Sequence, residues 1–443
     1  MLLRLLRNQT FIRRFSLAET IEDKTKVLPQ ILPKMGDTKV FKRKYDGRSK
    51  KRQWEDRRTD KGAGIRDLEE PKKTKVEEDL DLTADNNKIK RRKFCLLLGY
   101  SGTDYFGMQR NPNTKTIEED LLHALHKVDL IDEDCYNQVQ NMQFQRSCRT
   151  DKGVSAIRQI VSLKLKENID IAKINEQLPE VIRVFGYKRV TKGFNSKTQC
   201  DGRTYIYLTP TVVFAPHEKE VSQKDFRLDD ETFTRVNKLL ENFLGTKNFH
   251  NYTSKKKPND PSAHRFMKSF VMEKPFVNNG VEFAILKVHG QSFMLHQIRK
   301  MIGGILAVVR GLATEDLLPN SFKSEKVVIP RAPGLGLMLE YVHYDRYNHR
   351  YGSDGIHEAI TWEECEDQVK EFKEKYIFPT IIETEIKEEP MIYWLHNKLA
   401  RHAYDKEENE SDNEGGDDED EIKEDIVKNE ETCKSNENKQ ENV

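Results

Sequence analysis

Strand-like and helix-like runs of apolar residues alternate singly from Lys93 to about residue 345, whereas residues 20–90 show no sustained apolar period. A chain patterned this way buries its core in the middle and leaves its ends unpacked. Of its 443 residues, 36% are hydrophobic and 34% charged, too polar a mixture for every segment to pack.

Phe94, Leu96 and Leu98 alternate with Cys95 and Leu97 ahead of Gly99-Tyr100-Ser101-Gly102, which predicts a strand entering a loop. Thr116, with Glu119 three residues on, has capping-box spacing, and Ile117, Leu121, Leu125 and Val128 then form one helical stripe. Further strands are predicted at 157–165, 185–190, 203–208, 281–290 and 335–344. Helices are predicted at 169–178, from about Asp230, and along the apolar stretch ending at Gly311. On 203–208, Arg203, Tyr205 and Tyr207 share one face and Thr204, Ile206 and Leu208 the other. The expected class is α+β: two similar α/β halves, each with an antiparallel sheet, joined around a central cleft. The halves are placed at 92–208 and 209–403, the second carrying an extension.

The 75 basic and 74 acidic residues balance only because two biases cancel. Residues 405–443 carry 17 acidic and 5 basic side chains, net −12, which leaves +13 on residues 1–404. A folded part of that sign suits a polyanion, and the central cleft is expected to bind RNA. The tail at 404–443 is expected to be disordered by its own repulsion. Residues 1–18 contain Arg4, Arg7, Arg13 and Arg14 and no acid, the pattern of a mitochondrial transit peptide. Lys42-Arg43-Lys44 and the basic cluster at 48–52 lie in an expected linker at 19–91, where they read as a nuclear import signal, an RNA-contacting arm or a solvated stretch. Import receptors are the partners these segments imply. A second start at Met35 would reconcile a nuclear with a mitochondrial address.

The six cysteines stand far apart, without a Cys-x-x-Cys pair, as in a reducing compartment. No run approaches eighteen apolar residues, so no membrane span is expected. The absence of GxxxxGK, GxGxxG and HExxH argues against nucleotide hydrolysis, dinucleotide redox chemistry and zinc proteolysis.

Chemistry concentrates in Arg146-Ser147-Cys148-Arg149-Thr150-Asp151-Lys152-Gly153-Val154-Ser155-Ala156, which sets one carboxylate among cations just before a strand. Cations favour the ionised carboxylate, as a nucleophile or an ion-pair partner requires. From these residues alone a polar surface turn is an equal reading. The segment resembles the active-site motif of the tRNA pseudouridine synthases, in the eukaryotic nuclear and mitochondrial branch that modifies the anticodon arm. Gly99–Thr103, Phe106–Gln109, Arg203–Tyr207, Gly290–Arg299 and Ala332–Leu337 match the family in its order, over about 93–345.

That resemblance implies isomerisation of uridine to pseudouridine in tRNA, and in other structured RNAs such as mRNA or snRNA, by an enzyme needing no metal and no cofactor. It makes Asp151 the nucleophile, and leaves open attack on C1′ against proton abstraction to a glycal. Tyr205 would stack on the flipped base and remove the C5 proton, and Arg203 would pair with Asp151. Arg149 and Lys152 flank the motif as RNA contacts. His296 is read as satisfying a buried hydrogen bond ahead of acid–base duty, Arg299 as a phosphate contact, and Leu335 and Leu337 as lining of the uracil pocket. Lys255, Lys256 and Lys257 form a candidate RNA loop. Lys152 and Ser155 stand where many bacterial relatives have Ala and His, and Met108 where Trp is common, so bacterial target positions do not transfer. The long ends favour a monomer, and a catalytically silent RNA-binding protein of the same fold is the alternative.

Overall fold

The alternation at Phe94–Leu98 becomes strand β1 (Arg91–Tyr100) in a computed structural model that describes residues 91–254 and 256–402. The expectations for 1–18, for 19–91 apart from its last residue, for 404–443 and for Lys255 lie outside the described residues. Helix α1 (Ile117–Lys127) starts where the capping pattern predicts, with the Thr116 hydroxyl accepting the Glu119 N–H at 3.4 Å. The Glu119 carboxylate turns away and accepts from Tyr136 and Arg110, so half of the box forms. After α2 (Glu133–Asn137) and β2 (Gln145–Arg146) come β3 (Ser155–Lys166), α3 (Ile171–Glu176), β4 (Ile182–Arg189) and β5 (Gly202–Pro210). Helix α4 (Asp230–Leu240) is capped by the Asp229 carboxylate, which accepts from Thr232 N–H at 2.7 Å. It leads to β6 (Gly245–Asn248), β7 (His264–Met272), β8 (Phe276–Asn278), β9 (Val281–Gly290), α5 (Gln297–Val309), α6 (Leu317–Asn320) and β10 (Leu337–His343).

These strands form a single ten-stranded sheet in the order β4-β1-β3-β10-β5-β9-β7-β6, with β2 beside β3 and β8 beside β9. The expectation of separate antiparallel sheets is therefore corrected to one mixed sheet. The cause is β10, which returns from far along the chain to pair parallel with β3, at Met338 opposite Ser155, and antiparallel with β5, at Leu339 opposite Tyr205. The sheet is continuous through it, with a register shift between Leu339 and Tyr341 on the β5 side. This seam sets the start of β3, the start of β10 and Tyr205 side by side, although they are far apart in sequence.

Close backbone approach fixes the seam from behind. A Cβ on Gly303 of α5 would lie 2.0 Å from the Pro330 carbonyl oxygen, and one on Gly336 would lie 2.2 Å from that of Leu208. The C-terminal helices α7 (Asp345–Tyr351), α8 (Glu366–Phe372), α9 (Phe378–Lys387) and α10 (Pro390–Trp394) extend the core with buried Val369, Phe372, Ile381 and Trp394. Arg158 of β3 anchors α8 through both carboxylate oxygens of Glu366, at 2.8 and 2.7 Å. Among the described residues no helix is long and apolar enough to cross a membrane.

Candidate active site

Asp151 stands in the turn that joins β2 to β3, and the end of β1 holds that turn. The Tyr100 hydroxyl lies 2.8 Å from Thr150 Oγ1, the Met108 N–H donates to the Thr150 carbonyl at 3.1 Å, and the Gly153 N–H donates to the Tyr105 carbonyl at 3.2 Å. Gly153 takes φ +73°, which lets the chain reverse within the turn, where the Val154 N–H donates to the Asp151 carbonyl at 3.2 Å. Gly107, at φ +87°, brings its backbone so close that a Cβ there would lie 2.8 Å from the Thr150 carbonyl oxygen. Ser155 Oγ accepts the Gly102 N–H at 3.0 Å.

The carboxylate borders a cavity of about 980 Å³ lined by residues 145–151, by Arg203 and Tyr205 of β5, by 291–298 and by Leu337. Its lining holds Arg146, Arg149, Lys197, Arg203, Arg265 and Arg346, and Asp151 is the one acid among the lining residues. Arg146 and Arg346 are neutralised by Glu118 and Asp201. Arg149 and Lys197 are exposed and extend the positive field to the mouth.

Tyr205 is 7% exposed and meets Phe293 edge-on, with ring centroids 5.2 Å apart. Burial, then the nearby Cys148 thiol, pushes its hydroxyl well above the ordinary tyrosine range, so it is protonated at neutral pH. The Arg203 guanidinium donates to the carbonyl oxygens of Ser147 and, at 3.3 Å, Gln291, and so ties together the two walls of the cavity. Asp151, Arg203, Tyr205, Arg149, His296 and Leu337 all line this cavity, but Arg203 spends its hydrogen bonds on backbone carbonyls in place of the expected pair with Asp151.

Other placements differ. Helix α5 begins only at Gln297, and His296 precedes it in the left-handed region at φ 58°. Arg331 Nη1 donates to His296 Nδ1 at 3.0 Å. Burial first, then Arg331, Arg299 and Lys300, pushes the imidazole down to about 3, so it is a neutral acceptor and unsuited to acid–base duty near neutral pH. Arg299 is 1% exposed and its Nε donates to the Ala332 carbonyl at 2.6 Å, which corrects its reading as a phosphate contact: the guanidinium braces the segment that enters β10. Leu335 packs half-buried against the apolar core beside the cavity wall formed by Leu337. Lys256 is held by Asp260 Oδ2 at 2.9 Å and Ser262 Oγ at 2.7 Å, while Lys257 is exposed. Lys152 sits outside the cavity with its ammonium 4.8 Å above the Phe106 ring.

The sequence reading missed Lys197, Arg265, Arg331 and Arg346. Arg265 lies on β7, whose alternation is interrupted by a bulge between Met267 and Ser269, and no local pattern sets the other three apart from surface cations. Among the described residues no group of three or more His, Cys, Asp and Glu is placed to hold a metal ion.

A cavity of nucleotide size, cationic around one carboxylate and walled by a buried tyrosine, is the site of an enzyme acting on nucleic acid. A family model described as tRNA pseudouridine synthase matches residues 239–345. The chain is 51% identical over 321 residues to the Pseudouridylate synthase 1 homolog of Mus musculus, covering 72% of this chain and 76% of the relative. It is 52% identical to that of Homo sapiens, covering 68% and 71%. It is 33% identical to tRNA pseudouridine synthase 1 of Yarrowia lipolytica, covering 75% and 78%. The chain belongs to the tRNA pseudouridine synthase family. It is an intramolecular isomerase that converts uridine to pseudouridine in tRNA.

Proposed function

We propose that Asp151 is the nucleophile of this isomerisation, acting on a uridine swung out of its stack into the cavity. The observation that carries this is the placement of Asp151 as the one acid among the residues that line a cationic cavity. The reaction exchanges the N1–C1′ bond for a C5–C1′ bond, and a proton leaves C5 while N1 ends protonated, so nothing is gained or lost overall. Arg203, which shares a strand face with Tyr205 and is held by the Ser147 and Gln291 carbonyls, contributes positive charge to the cavity that Asp151 lines. Tyr205 stacks on the uracil while it turns. Because burial holds its hydroxyl protonated, it accepts the C5 proton only as it releases its own to solvent, and N1 takes up one proton in return, so the count closes. Arg149 and Lys152 contact the RNA, Leu337 and Leu335 bound the uracil end, and the exposed Lys257 is a further RNA contact.

Two similar halves meeting at the β3–β10 seam, a monomeric state, and action on mRNA or snRNA beside tRNA complete this reading. Incubation of the purified protein with unmodified tRNA, followed by chemical mapping of pseudouridine, tests it. Tyr205→Phe should keep RNA affinity and lose most product formation, and an undiminished product yield would remove the hydroxyl from proton transfer. We place the protein in both nucleus and mitochondrion. Deletion of residues 1–18 should abolish the mitochondrial share alone on fractionation, and a mitochondrial pool that persists would refute the leader.

A further inference from the structure

We infer that Phe106 is a stacking wedge, which takes the place of the extruded uridine against the neighbouring base of the RNA. The inference rests on the reading of Asp151 as the residue that receives that uridine. Phe106 is 52% exposed, whereas Tyr105 before it and Met108 after it are buried at 2% and 0%. The loop is nonetheless firmly held. The Phe106 N–H donates to the Lys115 carbonyl at 2.9 Å, the Tyr105 hydroxyl to Asp120 Oδ2 at 2.7 Å, and the Tyr105 carbonyl accepts from Gly153 within the Asp151 turn at 3.2 Å. Asp104 takes φ 65° to allow the reversal. A rigid loop therefore presents one aromatic ring to water.

Its position is what gives this exposure meaning. The next residue, Gly107, packs so tightly on the Asp151 turn that a Cβ would lie 3.3 Å from the Asp151 carbonyl carbon, and Lys152, the neighbour of Asp151, holds its ammonium 4.8 Å above the ring. The ring thus has a cation over it while half of the residue stays exposed, an arrangement that favours stacking on a polyanion. Extruding a uridine leaves a gap in the stack beside it, and an aromatic on a loop packed against the backbone of the receiving turn can fill that gap. Scattered exposed apolar side chains elsewhere, such as Val277 and Ile356, have no such neighbours and carry no argument.

The test uses the full chain with two substrates, unmodified tRNA and a short unstructured oligonucleotide holding one uridine, with 2-aminopurine beside the target as a stacking reporter. Phe106→Ala should lose turnover on tRNA by about ten-fold, the loss typical of one aromatic–base stack. On the oligonucleotide, which has little stack to replace, it should stay within about two-fold of wild type by the same reasoning. Phe106→Trp should restore both tRNA turnover and the 2-aminopurine quench. Equal losses on both substrates, no loss on tRNA, or failure of Trp to restore would each overturn the wedge. Asp151→Asn run alongside separates the two readings: activity in that variant overturns the nucleophile, whereas its inactivity with Phe106→Ala unaffected overturns the wedge alone.

Discussion

Asp151→Asn should bind unmodified tRNA as tightly as wild type and form no pseudouridine above a level about 10³-fold lower. Loss of an essential nucleophile has effects of at least this size, and the figure is a lower bound. Asparagine keeps the shape of the side chain and leaves intact the Asp151 carbonyl that accepts the Val154 N–H at 3.2 Å, so the turn and its hold on β1 persist. What disappears is the one negative charge in a cavity lining that also holds Arg149 and Arg203. Removing an anion from a cationic cavity does not weaken phosphate binding, so affinity and turnover should separate cleanly. Filter binding and single-turnover product mapping on the same preparation provide the measurement. Turnover within ten-fold of wild type would show that the carboxylate is not the reacting group, whatever its surroundings.

How much of this was legible in the sequence depends on the range over which each feature is encoded. Elements with an unbroken local period were readable: β1, β3, β5, β9, α1 and α4 fall where Phe94–Leu98, the Gln159 parity, Arg203–Leu208, the alternation at 281–290 and the Thr116 and Asp229 neighbourhoods place them. β7 was not readable, because a bulge puts Met267 and Phe270, rather than residues two apart, toward the core. The short C-terminal helices also went unread, since their buried positions are spread among many charges and two of the helical stretches widen locally, at Lys373–Ile377 and Leu395–Leu399.

In the site, the shared strand face of Arg203 and Tyr205 was legible from their spacing, whereas only the family resemblance joined Asp151 to them, and all three line the cavity. The burial of Arg299 was not, because its surroundings depend on the Pro330–Ala332 segment, which reaches α5 only through the tertiary fold. The single sheet was equally invisible. Two residue pairs between β3 and β10 decide it, and no local period encodes a pairing between strands nearly two hundred residues apart.

Gly102→Ala should lower turnover by about 10²-fold with little change in RNA affinity, and Gly193→Ala should match wild type. A Cβ on Gly102 would lie 2.5 Å from both the carbonyl carbon and the oxygen of Val154 and 2.7 Å from the carbonyl carbon of Gly153. All three are backbone atoms, so no side chain can rotate away and the two segments must separate. Overpacking of this kind destabilises by about 1–3 kcal/mol. The separation also strains the Gly102 N–H bond to Ser155 Oγ and carries Asp151, three residues before Val154, away from Tyr205. A displacement of about 1 Å at reacting groups is enough for a loss of about 10²-fold. Gly193 has nothing within 4 Å of its added Cβ, so the same chemical change there reports the effect of alanine without the clash. Melting temperature and single-turnover rate, measured on both variants, decide the matter. If Gly102→Ala melts and turns over like Gly193→Ala, the close approach of Gly102 to Val154 does not position the carboxylate, and the Tyr100 and Met108 bonds to Thr150 hold the turn without it.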